Sequence, residues 1–87
     1  MLAYTVIIKP SAERALKKLD SDTQRQVIKV LEGLRENPYP PGVKKLAGLD
    51  LYRVRSGDYR IVYGVERKVL QVLVVKVGHR REIYRNL

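Results

Sequence analysis

The sequence predicts a small α+β domain in which two helices pack on one face of a mainly antiparallel sheet. Three observations lead to this prediction. Two amphipathic helical segments follow one N-terminal strand segment, three further strand segments follow the helices, and 87 residues suffice for one hydrophobic core. The predicted order is β-α-α-β-β-β, with residues 1–87 as a single domain and the second face of the sheet left open.

The first predicted strand covers residues 3–9, which alternate in polarity and are rich in Tyr, Val and Ile. Pro10 is expected to end this strand, and Ser11 is the expected N-cap of a short first helix. Small and apolar residues then follow at helical spacing: Ala12, Ala15, Leu16 and Leu19.

A second helix is predicted after a break at residues 20–22. Ser21 and Gln24, three residues apart, have the pattern of a capping box. The predicted buried stripe consists of Val27, Val30, Leu31 and Leu34. We expect the helix to end near Asn37, because Pro38 disfavours helical geometry in the residue before it.

Residues 38–50, with three prolines and two glycines, predict a loop over the surface. Lys44 and Lys45 lie in this loop. They are candidate contacts to a nucleic-acid backbone, although a solvated lysine pair is the commoner arrangement.

The stretch LYRVRSGDYRIVY, residues 51–63, predicts a β-hairpin with a two-residue loop at Gly57-Asp58. This register pairs Ser56 with Tyr59, Arg55 with Arg60, and Arg53 with Val62. One face then carries Arg53, Arg55 and Arg60, and the other carries Tyr52, Val54, Tyr59, Ile61 and Tyr63. A three-residue loop would shift the pairing and send Arg60 to the opposite face. Because like charges opposite each other destabilise a strand pair, the two-residue loop indicates an anionic ligand at Arg55 and Arg60.

A second turn is predicted at residues 66–68, followed by an almost continuous apolar run over residues 69–77. Such a run is typical of a central strand covered on both faces. Gly78 is expected to break this strand, and a basic tail follows it.

The net charge of +9 is concentrated in residues 51–87, where nine basic and three acidic side chains give +6. In that half, Arg outnumbers Lys seven to two, and the planar guanidinium suits phosphate. Charge of this kind favours a nucleic-acid partner. The absence of cysteine excludes disulfides and thiolate metal sites, one His cannot form a histidine cluster, and the few carboxylates are scattered, so no metal or cofactor is expected. The N-terminal apolar run is too short for a signal peptide and no stretch is long enough to span a membrane, so we expect a cytoplasmic protein.

Four stretches resemble the RelE family of bacterial and archaeal toxins: KPSAERALKKL, ENPYPPGVKKLAG, LYRVRSGDYRIVY and VLVVKVGHRREIYR. The resemblance covers nearly the whole chain. It implies a cytoplasmic ribonuclease that enters the ribosomal A site and cuts messenger RNA there. It also implies a cognate RelB-like antitoxin that wraps the toxin, with a monomeric free toxin and a hetero-oligomeric complex.

The same resemblance implies where the site lies. The catalytic candidates are Arg55, Arg60, Arg80 and Tyr84. The RNA-binding candidates are Arg53, Lys44, Lys45, His79, Arg81 and Arg85. The best-known bacterial pattern has Lys where this chain has Arg53 and Arg55. Because Arg stays protonated, the general base is left open among Tyr84, His79, a ribosomal group and electrostatic activation of the ribose hydroxyl.

Two other functions compete with the nuclease. The related ParE branch shares the fold and acts on DNA gyrase, and a simple nucleic-acid-binding module would also explain the charge. The presence of Arg60, Arg80 and Tyr84 together favours the nuclease.

Overall fold

The computed structural model describes residues 3–83, which form a five-stranded sheet with two helices on one face. The strands are β1 (Thr5–Ile8), β2 (Lys44–Lys45), β3 (Tyr52–Ser56), β4 (Tyr59–Glu66) and β5 (Gln71–His79), and the helices are α1 (Pro10–Lys17) and α2 (Ser21–Glu36). The strand order is β1-β5-β4-β3-β2, with β1 parallel to β5 and all other neighbours antiparallel. The predicted α+β class is confirmed.

The first helix begins at Pro10, two residues earlier than an N-cap at Ser11 implies, so the prediction of Ser11 as its N-cap is wrong. Lys9 occupies the N-cap position without a side-chain capping bond, and Pro10 is the first helical residue. Proline fits there because its missing N–H would have no intrahelical partner and its φ is already helical. The Lys9 N–H still donates to the Val74 carbonyl, so β1 passes directly into α1.

The predicted capping box at the start of α2 is also wrong. Asp20 is the N-cap, and its carboxylate accepts a hydrogen bond from the Thr23 N–H at 3.2 Å. Hydrogen bonding to the side chain and the backbone N–H of Thr23 lowers the pKa of Asp20. The Gln24 side chain instead donates to the Leu16 carbonyl at 3.1 Å and ties the two helices together. The predicted end of the helix at Asn37 is confirmed, since Asn37 is the C-cap.

The predicted loop 38–50 contains a short strand, β2, which the sequence did not reveal. Lys44 pairs with Arg53 and Lys45 with Tyr52. Two residues are too few for a strand pattern, and the pairing arises because this segment runs beside the free edge of β3. Lysines at a sheet edge also discourage further strand addition.

The last strand passes through Gly78 instead of breaking there, and Gly78 pairs with Arg60. A β-bulge lies earlier in the same strand, because Val62 pairs with Lys76 while Tyr63 pairs with Val74. The bulge resets the alternation along β5, so that Lys76 and Gly78 lie on the face away from the helices. The turn before β5 covers residues 67–70, slightly later than predicted.

The core lies between the helices and one face of the sheet. Its buried members are Ala12, Leu16, Val27, Leu31, Leu34, Val54, Ile61, Tyr63, Val72, Val74 and Val77. The Tyr63 hydroxyl donates to the Pro38 carbonyl at 2.6 Å, and burial raises the pKa of this phenol. The expectation that the apolar run before Gly78 is covered on both faces is wrong at Leu73, which is 43% exposed on the side away from the helices.

We expect Gly57→Ala to lower the free energy of unfolding by about 1–2 kcal/mol, since a side chain is disfavoured in a left-handed backbone. Gly57 has a φ of +60° in the hairpin turn. Gly33→Ala is the matched control, because Gly33 is an exposed position in α2 with no atom within 4 Å of the added methyl group. This control should stabilise by roughly 0.5–1 kcal/mol. Urea unfolding measures both changes, and a Gly57→Ala variant as stable as the wild type would contradict the turn geometry.

Candidate functional site

The hairpin has the two-residue loop and the register that the sequence predicted. Ser56 pairs with Tyr59, Arg55 with Arg60, and Arg53 with Val62. The helix-facing side of the hairpin packs into the core through Tyr52, Val54, Tyr59, Ile61 and Tyr63. Arg53, Arg55 and Arg60 therefore lie together on the opposite side of the sheet, which we call the arginine face.

The arginine face holds two guanidinium groups directly across a strand pair. Arg55 is exposed and Arg60 is half-buried. Within residues 3–83, no carboxylate lies at ion-pair distance from Arg53, Arg55 or Arg60. The Arg60 Nη1 donates to the carbonyls of Gly57 and Tyr59, each at 3.2 Å, which holds this guanidinium at the turn. The arrangement therefore places a guanidinium held at the turn beside an exposed one, and guanidinium groups bind phosphate oxygens by charge-assisted hydrogen bonds.

Two further lysines extend the arginine face. Lys44 pairs with Arg53 across β2 and β3, so its side chain lies on the same side of the sheet. Lys76 pairs with Val62 and is half-buried next to the arginines. Lys45 pairs with Tyr52 and therefore lies on the helix side. Sequence reasoning missed Lys76, although a lone cation inside the run VLVVKV was a usable signal.

A turn after β5 brings Arg80 to the end of the hairpin. The Arg80 N–H donates to the Asp58 carbonyl at 2.8 Å, and the Arg80 Nε lies 3.9 Å from the Asp58 carboxylate. Both side chains are more than half exposed, so this ion pair contributes little by itself. The backbone bond is what joins the turn to the hairpin. The role of Asp58 could not be foreseen without knowing where the chain goes after β5.

The arginine face is partly covered, which corrects the expectation of an open second face. Ile83 and Val62 are both fully buried, yet neither belongs to the core beneath the helices. A Cβ atom on Gly78 would lie 3.3 Å from Cδ1 of Ile83, so the turn packs closely over Gly78. Gly78 thus leaves space for the chain to fold back onto the sheet.

The structure places His79 away from the arginine face. His79 pairs with Tyr59, and the two rings meet edge to face at 5.6 Å. The His79 Nδ1 accepts a hydrogen bond from the Arg81 N–H at 3.2 Å. Arg81 is exposed, whereas Tyr84 and Arg85 lie outside the described residues. The site that can be described therefore consists of Arg53, Arg55, Arg60, Arg80, Lys44 and Lys76.

Among residues 3–83, no group of three His, Asp or Glu side chains is arranged to hold a metal ion. The helices within the same range are too short or too polar to cross a membrane.

Comparison with known proteins defines the class of this fold and site. The sequence model of the family described as the ParE toxin of the type II toxin-antitoxin system parDE matches residues 6–84. The mRNA interferase toxin RelE of Escherichia coli (strain K12) is 40% identical over 80 residues, which cover 83% of each chain. Toxin RelG of Mycobacterium tuberculosis is 32% identical over 97% of this chain and 99% of that protein.

A solved structure of a RelE toxin has the same fold. The archaeal RelE-RelB complex from Pyrococcus horikoshii OT3 contains a chain that superposes with a TM-score of 0.83 at 32% identity, covering 93% of this chain and 99% of that one. The chain therefore belongs to the RelE family, within the wider group of RelE and ParE toxins.

We expect Arg55→Gln to stabilise the free protein by roughly 0.2–1 kcal/mol at low salt, because it removes the like-charge pair with Arg60. The gain should shrink as salt screens the repulsion. Arg67→Gln removes the same charge from the exposed turn between β4 and β5 and is the control. Urea unfolding at low and high salt measures the effect. Loss of stability on Arg55→Gln would show that the arginine pair does not repel.

Proposed function

We propose that this chain is a ribosome-dependent endoribonuclease toxin that cleaves messenger RNA in the ribosomal A site and thereby inhibits translation. A cognate RelB-like antitoxin neutralises it. The single observation that carries the proposal is the pairing of Arg55 with Arg60 beside Arg80, with no carboxylate at ion-pair distance from the arginine pair in the described chain. The names of two similar proteins support the proposal. One relative is named an mRNA interferase, and one similar solved structure is a complex of RelE with RelB.

The proposed reaction is attack of a ribose 2′-hydroxyl on the adjacent phosphate. A bond forms between the 2′-oxygen and phosphorus, the bond to the 5′-oxygen breaks, and the proton of the 2′-hydroxyl must be removed. The step requires in-line placement, proton transfer and stabilisation of negative charge on the phosphorane oxygens. It uses no metal ion.

The arginines divide these tasks by position. Arg60 stabilises the transition-state oxygens, because its guanidinium is held by two carbonyl oxygens before substrate arrives. Arg80 acts on the leaving-group side at the hairpin end. Arg55 and Arg53 hold the phosphate backbone, and Lys44, Arg81 and Arg85 extend this contact along the message.

Proton removal is the step that this chain supplies least well. Arg stays protonated at any relevant pH, so the arginine face offers no base. The ring of His79 lies against Tyr59, on the side of the sheet away from Arg60. The proton could be removed by Tyr84 or by a ribosomal group, or the surrounding charge could activate the hydroxyl itself. Dependence on the ribosome follows, because the ribosome must order the message or supply the missing group.

A second candidate is inhibition of DNA gyrase without nuclease activity. The match to the ParE sequence model is the observation that favours it. The placement of Arg55, Arg60 and Arg80 at one end of the hairpin favours the nuclease, because an inhibitor that does not act on RNA does not require three arginines there.

The purified protein should cut messenger RNA on programmed ribosomes and leave naked RNA largely intact. Arg60→Ala should lower the single-turnover rate by about 10²–10³-fold, the range for loss of one preorganised donor to developing charge. Arg67→Ala removes an equivalent charge far from the arginine face and should be nearly silent.

Two outcomes would contradict the nuclease activity, and a third would contradict its dependence on the ribosome. Blocked gyrase with intact message would support the ParE-like inhibitor, and retention of message without cutting would support a binding module. Brisk cleavage of naked RNA, with contaminating nuclease excluded, would contradict the dependence on the ribosome.

Tyr84 should act through its ring, by stacking on an unpaired base. Stacking of this kind is worth about 1–3 kcal/mol, so Tyr84→Ala should slow cleavage by roughly ten- to over a hundredfold. Tyr84→Phe should keep most of the activity. Single-turnover cleavage on ribosomes, with melting temperatures as the folding control, measures both. A Phe variant as inactive as the Ala variant, with unchanged melting, would assign proton transfer to the hydroxyl.

A further inference from the structure

We propose that His79 is a positioning residue whose imidazole caps the turn of residues 79–83 and thereby fixes Arg80 at the end of the hairpin. The inference rests on the proposed nuclease function and extends it, because it assigns His79 neither to RNA binding nor to proton transfer.

The hydrogen bonds of the turn converge on His79. Its carbonyl accepts from the N–H groups of Glu82 at 2.9 Å and Ile83 at 3.0 Å, and its Nδ1 accepts from the N–H of Arg81 at 3.2 Å. The remaining amide, that of Arg80, donates to the Asp58 carbonyl. Three of these four bonds therefore end on one residue. This is the pattern of a helix N-cap, in which a side-chain acceptor satisfies an early amide that has no partner in the turn.

The ring of His79 is held in the orientation that capping requires. His79 is the strand partner of Tyr59, and the two rings meet at an interplanar angle of 84°. The lone pair of Nδ1 is directed at the Arg81 N–H, which places this nitrogen as the acceptor of the cap. An Nδ1 that is engaged by Arg81, on a ring directed away from Arg60, is poorly placed to take a proton from a ribose hydroxyl.

The turn is fastened at its other end by Ile83, which is fully buried over Gly78. Between these two points lies Arg80, and within residues 3–83 its side chain makes one ion-pair contact, at 3.9 Å from the exposed carboxylate of Asp58. The backbone of the turn, rather than a side-chain bond, therefore decides where this guanidinium lies. Loss of the cap should loosen Arg80 without removing any group from the arginine face.

Three substitutions separate the cap from other roles of His79. Asn can accept from the amide two residues ahead, and Asn37 does so in this protein, taking a hydrogen bond from the Tyr39 N–H at 3.0 Å. His79→Asn therefore keeps the acceptor and loses the ring contact with Tyr59. His79→Phe keeps a ring and loses the acceptor, and His79→Ala loses both.

The experiment combines single-turnover cleavage on programmed ribosomes with amide hydrogen exchange at Arg81, measured by NMR on the free protein. We expect His79→Asn to cleave within about threefold of the wild type. His79→Phe and His79→Ala should be slower by roughly fivefold or more, because loss of a cap lowers the ratio of ordered to disordered turn by about this factor. Affinity for the ribosome should change little. Arg81 exchange should be slow in the wild type and in His79→Asn, and faster in the other two variants.

Each alternative gives a different result. An active Phe variant with an inactive Asn variant would show that the ring contact matters, and would overturn the capping role. Inactivity of both the Phe and the Asn variants, with slow exchange of the Arg81 amide kept in the Asn variant, would indicate that His79 takes part in proton transfer. This result would also overturn the capping role. If the wild type does not cut message at all, the proposed nuclease function fails. In that case the order of the Arg81 exchange rates still decides whether His79 caps the turn.

Discussion

The left-handed backbone at Gly57 determines which side of the sheet each hairpin residue occupies. A two-residue turn with glycine at its first position sets the pairing of β3 with β4, and a slip by one residue would move every side chain to the opposite face. Tyr63 and Ile61 would then leave the core, and Arg60 would enter it. The core and the arginine face are therefore two results of one local constraint.

The hairpin register places the arginines together on the face of the sheet opposite the core, where their charges do not stabilise the fold. The tyrosines and aliphatic residues of the hairpin bury against α1 and α2, and this burial stabilises the sheet. The arginines opposite them repel one another across the strands. Such a conflict between stability and charge is expected where a protein binds a polyanion, since the ligand supplies the negative charge that the free protein lacks.

The features that could be predicted from the sequence are those set by neighbouring residues. The hairpin register and the end of α2 at Asn37 both follow from a few adjacent side chains. The start of α1 was misassigned because Ser11 is a favoured capping residue and the observed N-cap, Lys9, is not. The start of α2 was misassigned because Asp20 and Ser21 are adjacent residues that can both cap, and the choice depends on where α1 ends.

Features that depend on distant parts of the chain could not be predicted. The pairing of β2 depends on the free edge of β3, and the side of the sheet on which Lys76 lies depends on a bulge opposite β4. The burial of Ile83 depends on the chain folding back over Gly78. No local pattern encodes these contacts, because each is made between segments separated by a turn or more.

The parallel pairing of β1 with β5 has a consequence for how the molecule assembles. Thr5 pairs with Gln71, so this pairing closes most of the chain into a loop, whereas β3, β4 and β5 are joined in succession by short turns. Contacts between distant residues bear a larger loss of chain entropy before they form. We therefore expect the three-stranded meander to form early and β1 to dock late, so that the strands carrying the arginines take shape before the first strand closes the sheet.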